Sequence, residues 1–160
     1  FRKRRNNYGN CLYFGSLVHR KLLNYLLVAL DKISFMLSEY DYHCPHCNQL
    51  LNADNTVIFK IKKSTGEKGI IELSPKVGEY SYKCEPNMIF ENGEEMEFFC
   101  PACKVNLKSK KHPKFIELRL FVSSSVHFDM LFSRVFGDRR TYVITEDMTE
   151  KFGDNPADLI

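Results

Sequence analysis

The chain lacks any stretch of 18 or more apolar residues, so a helix crossing a bilayer is not expected. The nearest approach is residues 22–30, which follow basic residues as the apolar part of a secretory leader would. No small-x-small cleavage pattern follows, and Asp31-Lys32 comes at once, so export is not expected either. Enzyme signatures are missing as well. There is no H-E-x-x-H, no phosphate-cradling G-x-x-x-x-G-K, no G-x-G-x-x-G and no G-x-S-x-G, and each of these carries a specific chemistry. The nucleobase-deaminase pattern fails too, because no His is followed two residues later by Glu, and His43 and Phe99 stand where Pro would precede each C-x-x-C. Tryptophan is absent, which excludes nothing.

A core can nevertheless be built, since 44% of the 160 residues are hydrophobic and 13 Phe and 8 Tyr are present. That length suits one domain, or a small domain with an extension. The net charge of +3 conceals a division. Residues 1–35 hold seven Lys/Arg and one acid, whereas the remainder holds 16 basic and 19 acidic residues. A basic head on a mildly acidic body is the result, and the body as a whole lacks the clustered charge of a polyanion binder.

Periodicity divides the chain. Leu23, Leu26, Leu27, Leu30 and Ile33 recur at helical steps, which predicts an amphipathic helix over residues 12–37. From residue 38 the pattern alternates. Val57, Phe59 and Ile61 oppose Lys60 and Lys62, residues 64–69 read as a turn, and residues 70–73 as the returning strand. Tyr80, Tyr82 and Cys84 share the face of another strand, and Met96 and Phe98 lead in phase into Cys100. Residues 116–122 and 141–145 read as further strands, residues 126–136 as a strand and then a short helical turn, and residues 146–160 as a short helix or frayed tail. The expected architecture is β-rich (α+β). A basic helical extension (1–37) need not belong to the core, a cysteine module (38–112) follows, and C-terminal strands (113–160) pack on it.

Four of the six Cys sit in two C-x-x-C pairs, a pattern that points to metal in a reducing compartment rather than to a disulfide framework. The two segments repeat each other at a constant offset: Tyr42-His43-Cys44-Pro45-His46-Cys47 matches Phe98-Phe99-Cys100-Pro101-Ala102-Cys103, and the match extends to Asp41 with Glu97 and Leu51 with Leu107. A tight C-x-x-C turn brings two thiolates to one ion while backbone N–H groups face the sulfurs. The residue after the second Cys commonly needs a left-handed backbone, for which Gly suits best; Asn48 tolerates it and Lys104 does so less readily.

Over residues 40–107 this double C-P-x-C pattern resembles the zinc-ribbon and rubredoxin-like families. The resemblance implies one structural Zn²⁺ on Cys44, Cys47, Cys100 and Cys103, with iron on the same thiolates as the lesser expectation. It departs from those families in Asn48 and Lys104, where Gly is usual. It departs also in the long segment between Cys47 and Cys100, which requires inserted antiparallel strands.

A non-catalytic, cytoplasmic module for protein–protein interaction is the leading expectation. The alternative is nucleic-acid binding through Lys104, Lys108, Lys110, Lys111 and Lys114, joined by the basic N-terminus and by Arg134, Arg139 and Arg140. A rubredoxin-like or CxxC redox protein is the third reading.

Overall fold

The computed structural model describes residues 40–145 and 148–154. The helix expected over residues 12–37 and the basic head lie outside the described residues. Leu37–Ile160 form one unit, and its described part is all strand and turn: β1 (Asp41–His43), β2 (Asn52–Ala53), β3 (Thr56–Lys62), β4 (Lys68–Leu73), β5 (Tyr82–Glu85), β6 (Glu97–Phe99), β7 (Phe115–Phe121), β8 (His127–Ser133), β9 (Arg140–Ile144) and β10 (Thr149–Gly153).

Two antiparallel sheets result, in the orders β1-β7-β8-β9-β10 and β2-β3-β4-β5, with β6 lying beside β2 along the other edge of β3. The alternation read from the chain is the alternation observed. Val57, Phe59 and Ile61 are buried on one face of β3 while Lys60 is exposed on the other, and Ile116, Leu118 and Leu120 of β7 are buried in the same way. These inner faces meet. Tyr42, Ile116, Leu118, Met130 and Phe132 of one sheet line the same small, partly open cavity as Val57, Phe59 and Leu73 of the other. Phe98 and Phe132 touch edge to face across the gap at 6.4 Å, and the Tyr80 hydroxyl reaches Thr141 at 3.0 Å. Each such fully buried Leu, Ile or Phe contributes roughly 1.5–3 kcal/mol.

The registers disclose a repeat longer than the cysteine motifs. β3 pairs with β4 as Lys62↔Lys68 and Ile61↔Gly69, and β7 later pairs with β8 as Phe121↔His127 and Leu120↔Phe128. The offset that takes Lys62 to Phe121 also carries Ile70↔Glu85 of β4–β5 onto Asp129↔Ile144 of β8–β9. Each half lends its first strand to the other: β1 joins β7, and β6 joins β3, at Tyr42↔Leu120 and Phe98↔Ile61. Strands on either side of residues 112 and 113 are therefore paired directly, β1 with β7.

Two expectations are corrected. The helical turn expected before Gly137 is instead a bridge from Val135 to Glu95, with the Phe136 N–H donating to the Glu94 carbonyl at 2.8 Å. A helix or tail was expected over residues 146–160, but Thr149–Gly153 form a strand on β9. Only Phe152 in that strand is buried, so backbone pairing rather than apolar pattern forms it.

Candidate metal centre

Each cysteine knuckle lies where the chain passes from one sheet to the other. The first is entered from β1 and left through β2 and β3; the second is entered from β6 and left towards β7. Their hydrogen bonds are copies at the offset that relates Cys44 to Cys100. The Cys44 N–H donates to the Gln49 carbonyl at 3.0 Å and the Asn48 N–H to the Cys44 carbonyl at 2.9 Å; the Cys100 N–H donates to Val105 at 3.1 Å and the Lys104 N–H to Cys100 at 3.0 Å. Bridges His43↔Leu50 and Phe99↔Asn106 close the two loops. Asn48 at φ 58° and Lys104 at φ 62° both adopt the left-handed backbone that the turn demands. Beneath each knuckle an aromatic residue and a leucine are buried: Tyr42 with Leu51, and Phe98 with Leu107.

Built this way, the two knuckles converge. The sulfurs of Cys44, Cys47, Cys100 and Cys103 all lie within 4.8 Å of one another, close enough to hold a metal ion. The pairs Cys44–Cys103 and Cys47–Cys100 each stand 3.8 Å apart. Corners about 2.3 Å from the centre of a regular tetrahedron, the usual metal–thiolate distance, are about 3.8 Å apart along each edge. A disulfide would need about 2.05 Å. The spacing therefore suits four thiolates around one ion, and four thiolates leave a tetrahedral ion no open position.

Electrostatics distinguishes Cys47 from Cys44 and Cys100. Burial pushes the Cys44 thiol up to about 12, against the backbone N–H groups of Cys47 and His46 that face its sulfur. Burial raises Cys100 too, against the N–H groups of Cys103 and Ala102, the same two positions in the second knuckle. The exposed Cys47 goes the other way: the Gln49 N–H, helped by the neighbouring thiols, lowers it to about 7. An ion that binds here displaces protons from buried thiols, so its affinity rises with pH.

The lysines do not form one patch. Lys108, Lys110 and Lys111 line a 450 Å³ concavity on the outer face of the first sheet together with Arg119, His46 and His112, but Glu117 and Asp129 line it as well. Lys104 belongs to another concavity, on the second sheet, with Lys60, Lys62, Lys68, Phe99 and Glu85. Lys114 is exposed and lines neither. The three arginines are occupied. Arg139 meets Asp154 at 3.1 Å, Arg140 meets Asp138 at 2.6 Å, and Arg134 is buried, donating from Nε to the Pro113 carbonyl at 2.7 Å and from Nη1 to the Met96 carbonyl at 2.9 Å while paired with Glu95.

Two buried cations escaped the reading of the sequence, which treats Lys and Arg as surface residues. Arg134 ties the strand entering the second knuckle to the loop leaving it. Lys63 donates to the Ile89 carbonyl at 2.6 Å, sits 3.4 Å from Glu94 and lies over the Phe90 ring. Cys84 stands apart from the four-cysteine cluster, and burial raises its thiol.

No family model, curated protein or solved structure matches this chain.

Proposed function

We propose that the chain carries one structural Zn²⁺ on Cys44, Cys47, Cys100 and Cys103, and that the two-sheet body it staples is a non-catalytic module for protein–protein interaction. The observation that carries this reading is the convergence of four sulfurs within 4.8 Å, two pairs of them at the edge length of a tetrathiolate tetrahedron. Zinc is the ion that such closed all-thiolate sites hold for folding rather than for reaction. The double knuckle supports the likeness to zinc ribbons at the level of the site, while the two five-stranded sheets form a larger frame than a minimal ribbon.

A protein partner is favoured over a polyanion because the cations are dispersed. Lys104 lines one concavity and Lys108, Lys110 and Lys111 another, both of which also hold carboxylates, Lys114 lines neither, and Arg134, Arg139 and Arg140 are already paired. The second reading, nucleic-acid binding, rests on Lys108, Lys110, Lys111 and Arg119 lining one concavity beside the first knuckle. A titration with single-stranded and duplex oligonucleotides at low and high salt separates the two, because phosphate contacts weaken steeply with salt. The interaction reading predicts no saturable, salt-sensitive binding; a steep salt slope that Lys110→Glu abolishes would replace it with the second. Elemental analysis tests the metal in the same preparation.

A further inference from the structure

The internal repeat exposes an asymmetry. β9 and β5 are equivalent strands of the two halves, yet β9 is covered by β10 whereas β5 is, among the described residues, the last strand of its sheet. Hydrogen bonds determine which residues β5 presents along its open edge. Residues of an antiparallel strand alternate between those bonded to one neighbour and those facing the other. The Ser74 N–H donates to the Ser81 carbonyl at 3.2 Å, so Ser81, Lys83 and Glu85 face β4 and Tyr82 and Cys84 face outward. In the second half the Thr145 N–H donates to the Met148 carbonyl at 2.9 Å, so Thr141 and Val143, the equivalents of Tyr82 and Cys84, face β10. Thr141 and Val143 find Phe152 and Glu150 there. Among the described residues Tyr82 and Cys84 find no backbone partner on that side. Tyr82, Lys83 and Glu85 are exposed.

We propose that β5 pairs antiparallel with β5 of a second copy of this chain, across a two-fold axis through Cys84, so that the two second sheets become continuous. This deepens the protein-interaction reading above, on which it rests, by naming the partner. The charge pattern is complementary to a second copy and favours one register. With Cys84 opposite Cys84 of the other copy, Lys83 of each chain lies opposite Glu85 of the other, twice over. The outward amides and carbonyls of Cys84 then bond each other. Centring the pairing on Lys83 would set Lys83 against Lys83, and centring it on Glu85 would set Glu85 against Glu85. Like charges directly opposite are unfavourable, so both slips are disfavoured. Strand addition along an open edge is an established mode of association.

Sedimentation equilibrium of the zinc-loaded full chain tests this with two surface variants, Lys83→Glu and Glu85→Lys. The wild type is expected to be a dimer. Each variant alone places like charges opposite each other at two sites and should weaken the dimer by about tenfold or more. An equimolar mixture of the two restores both opposite-charge pairs in the heterodimer and should recover the wild-type association. A monomeric wild type, single variants that dimerise as well as wild type, or a mixture that stays monomeric would each overturn the proposal. Neither residue touches the four cysteines, so a monomer that still carries its zinc refutes the dimer and leaves the metal reading standing.

Discussion

Replacing Arg134 with Met probes how the fold holds its second knuckle. Arg134 is buried, and its Nε and Nη1 satisfy the carbonyls of Pro113 and Met96 at 2.7 and 2.9 Å. Met96 lies shortly before Cys100, and Pro113 lies in the loop that returns to β7. Methionine has similar length and keeps the apolar stem in place, so the loss is mainly polar. Two carbonyls left without donors cost about 1–3 kcal/mol each, and release of the buried guanidinium from its own desolvation offsets part of this. A net loss of about 2–4 kcal/mol is expected. The Glu95 partner contributes little of it, because that carboxylate is 47% exposed and half-exposed ion pairs are worth under about 1 kcal/mol. Urea denaturation of the zinc-loaded protein, followed by circular dichroism, should therefore separate Arg134→Met from Glu95→Gln by about 2 kcal/mol or more. Equal losses in the two variants would refute the assignment of the energy to the carbonyls, and a negligible loss for Arg134→Met would refute the buried role altogether.

Other consequences can be checked in the same preparation. Burial works against ionisation of Asp138, but hydrogen bonds from Arg140 and Ser133 outweigh it and hold the carboxyl below its ordinary value. The stability it lends is complete above its unfolded value of about 3.9 and drains as pH falls through the lower folded one; Asp138→Asn should flatten the acid limb of a plot of melting temperature against pH. Lys104 sits at φ 62°, so Lys104→Gly should be tolerated within about 1 kcal/mol while the β-branched Lys104→Val loses about 1–2 kcal/mol in thermal unfolding. Gly153 has φ +118°, and an added Cβ would fall 1.7 Å from the Arg139 carbonyl oxygen. Gly153→Ala should therefore detach β10, read as faster amide exchange confined to β9 and β10.

Local pattern revealed what is local. β3, β4 and β7 bury apolar residues on one face, and the repeat of the two knuckles is visible because cysteine and proline have few substitutes at a metal turn. The longer repeat of paired strands was hidden. It preserves only apolar character, as in Val57 with Ile116, Phe59 with Leu118 and Ile61 with Leu120. Its offset also differs from that of the knuckles, because the return from the second knuckle to β7 is longer than that from the first to β3. Pairings such as β1 with β7 join strands far apart along the chain, and no short window carries them. β10 has one buried apolar residue in five, too little to distinguish it from a tail. Charge alone groups Arg134 with the surface lysines in the alternative, nucleic-acid reading; only the carbonyls that face it in the fold explain its burial.

The convergence of the four sulfurs carries the proposed function, and structural zinc is worth on the order of 10 kcal/mol or more to small modules, comparable to the whole stability of a domain. Zinc content per chain, measured alongside the melt of the same sample before and after a strong chelator, tests it most directly. The account predicts one zinc per chain and loss of the cooperative transition once the metal is stripped. Protein that carries no zinc, or that keeps its melting temperature after losing it, would contradict the claim that this ion holds the two sheets together.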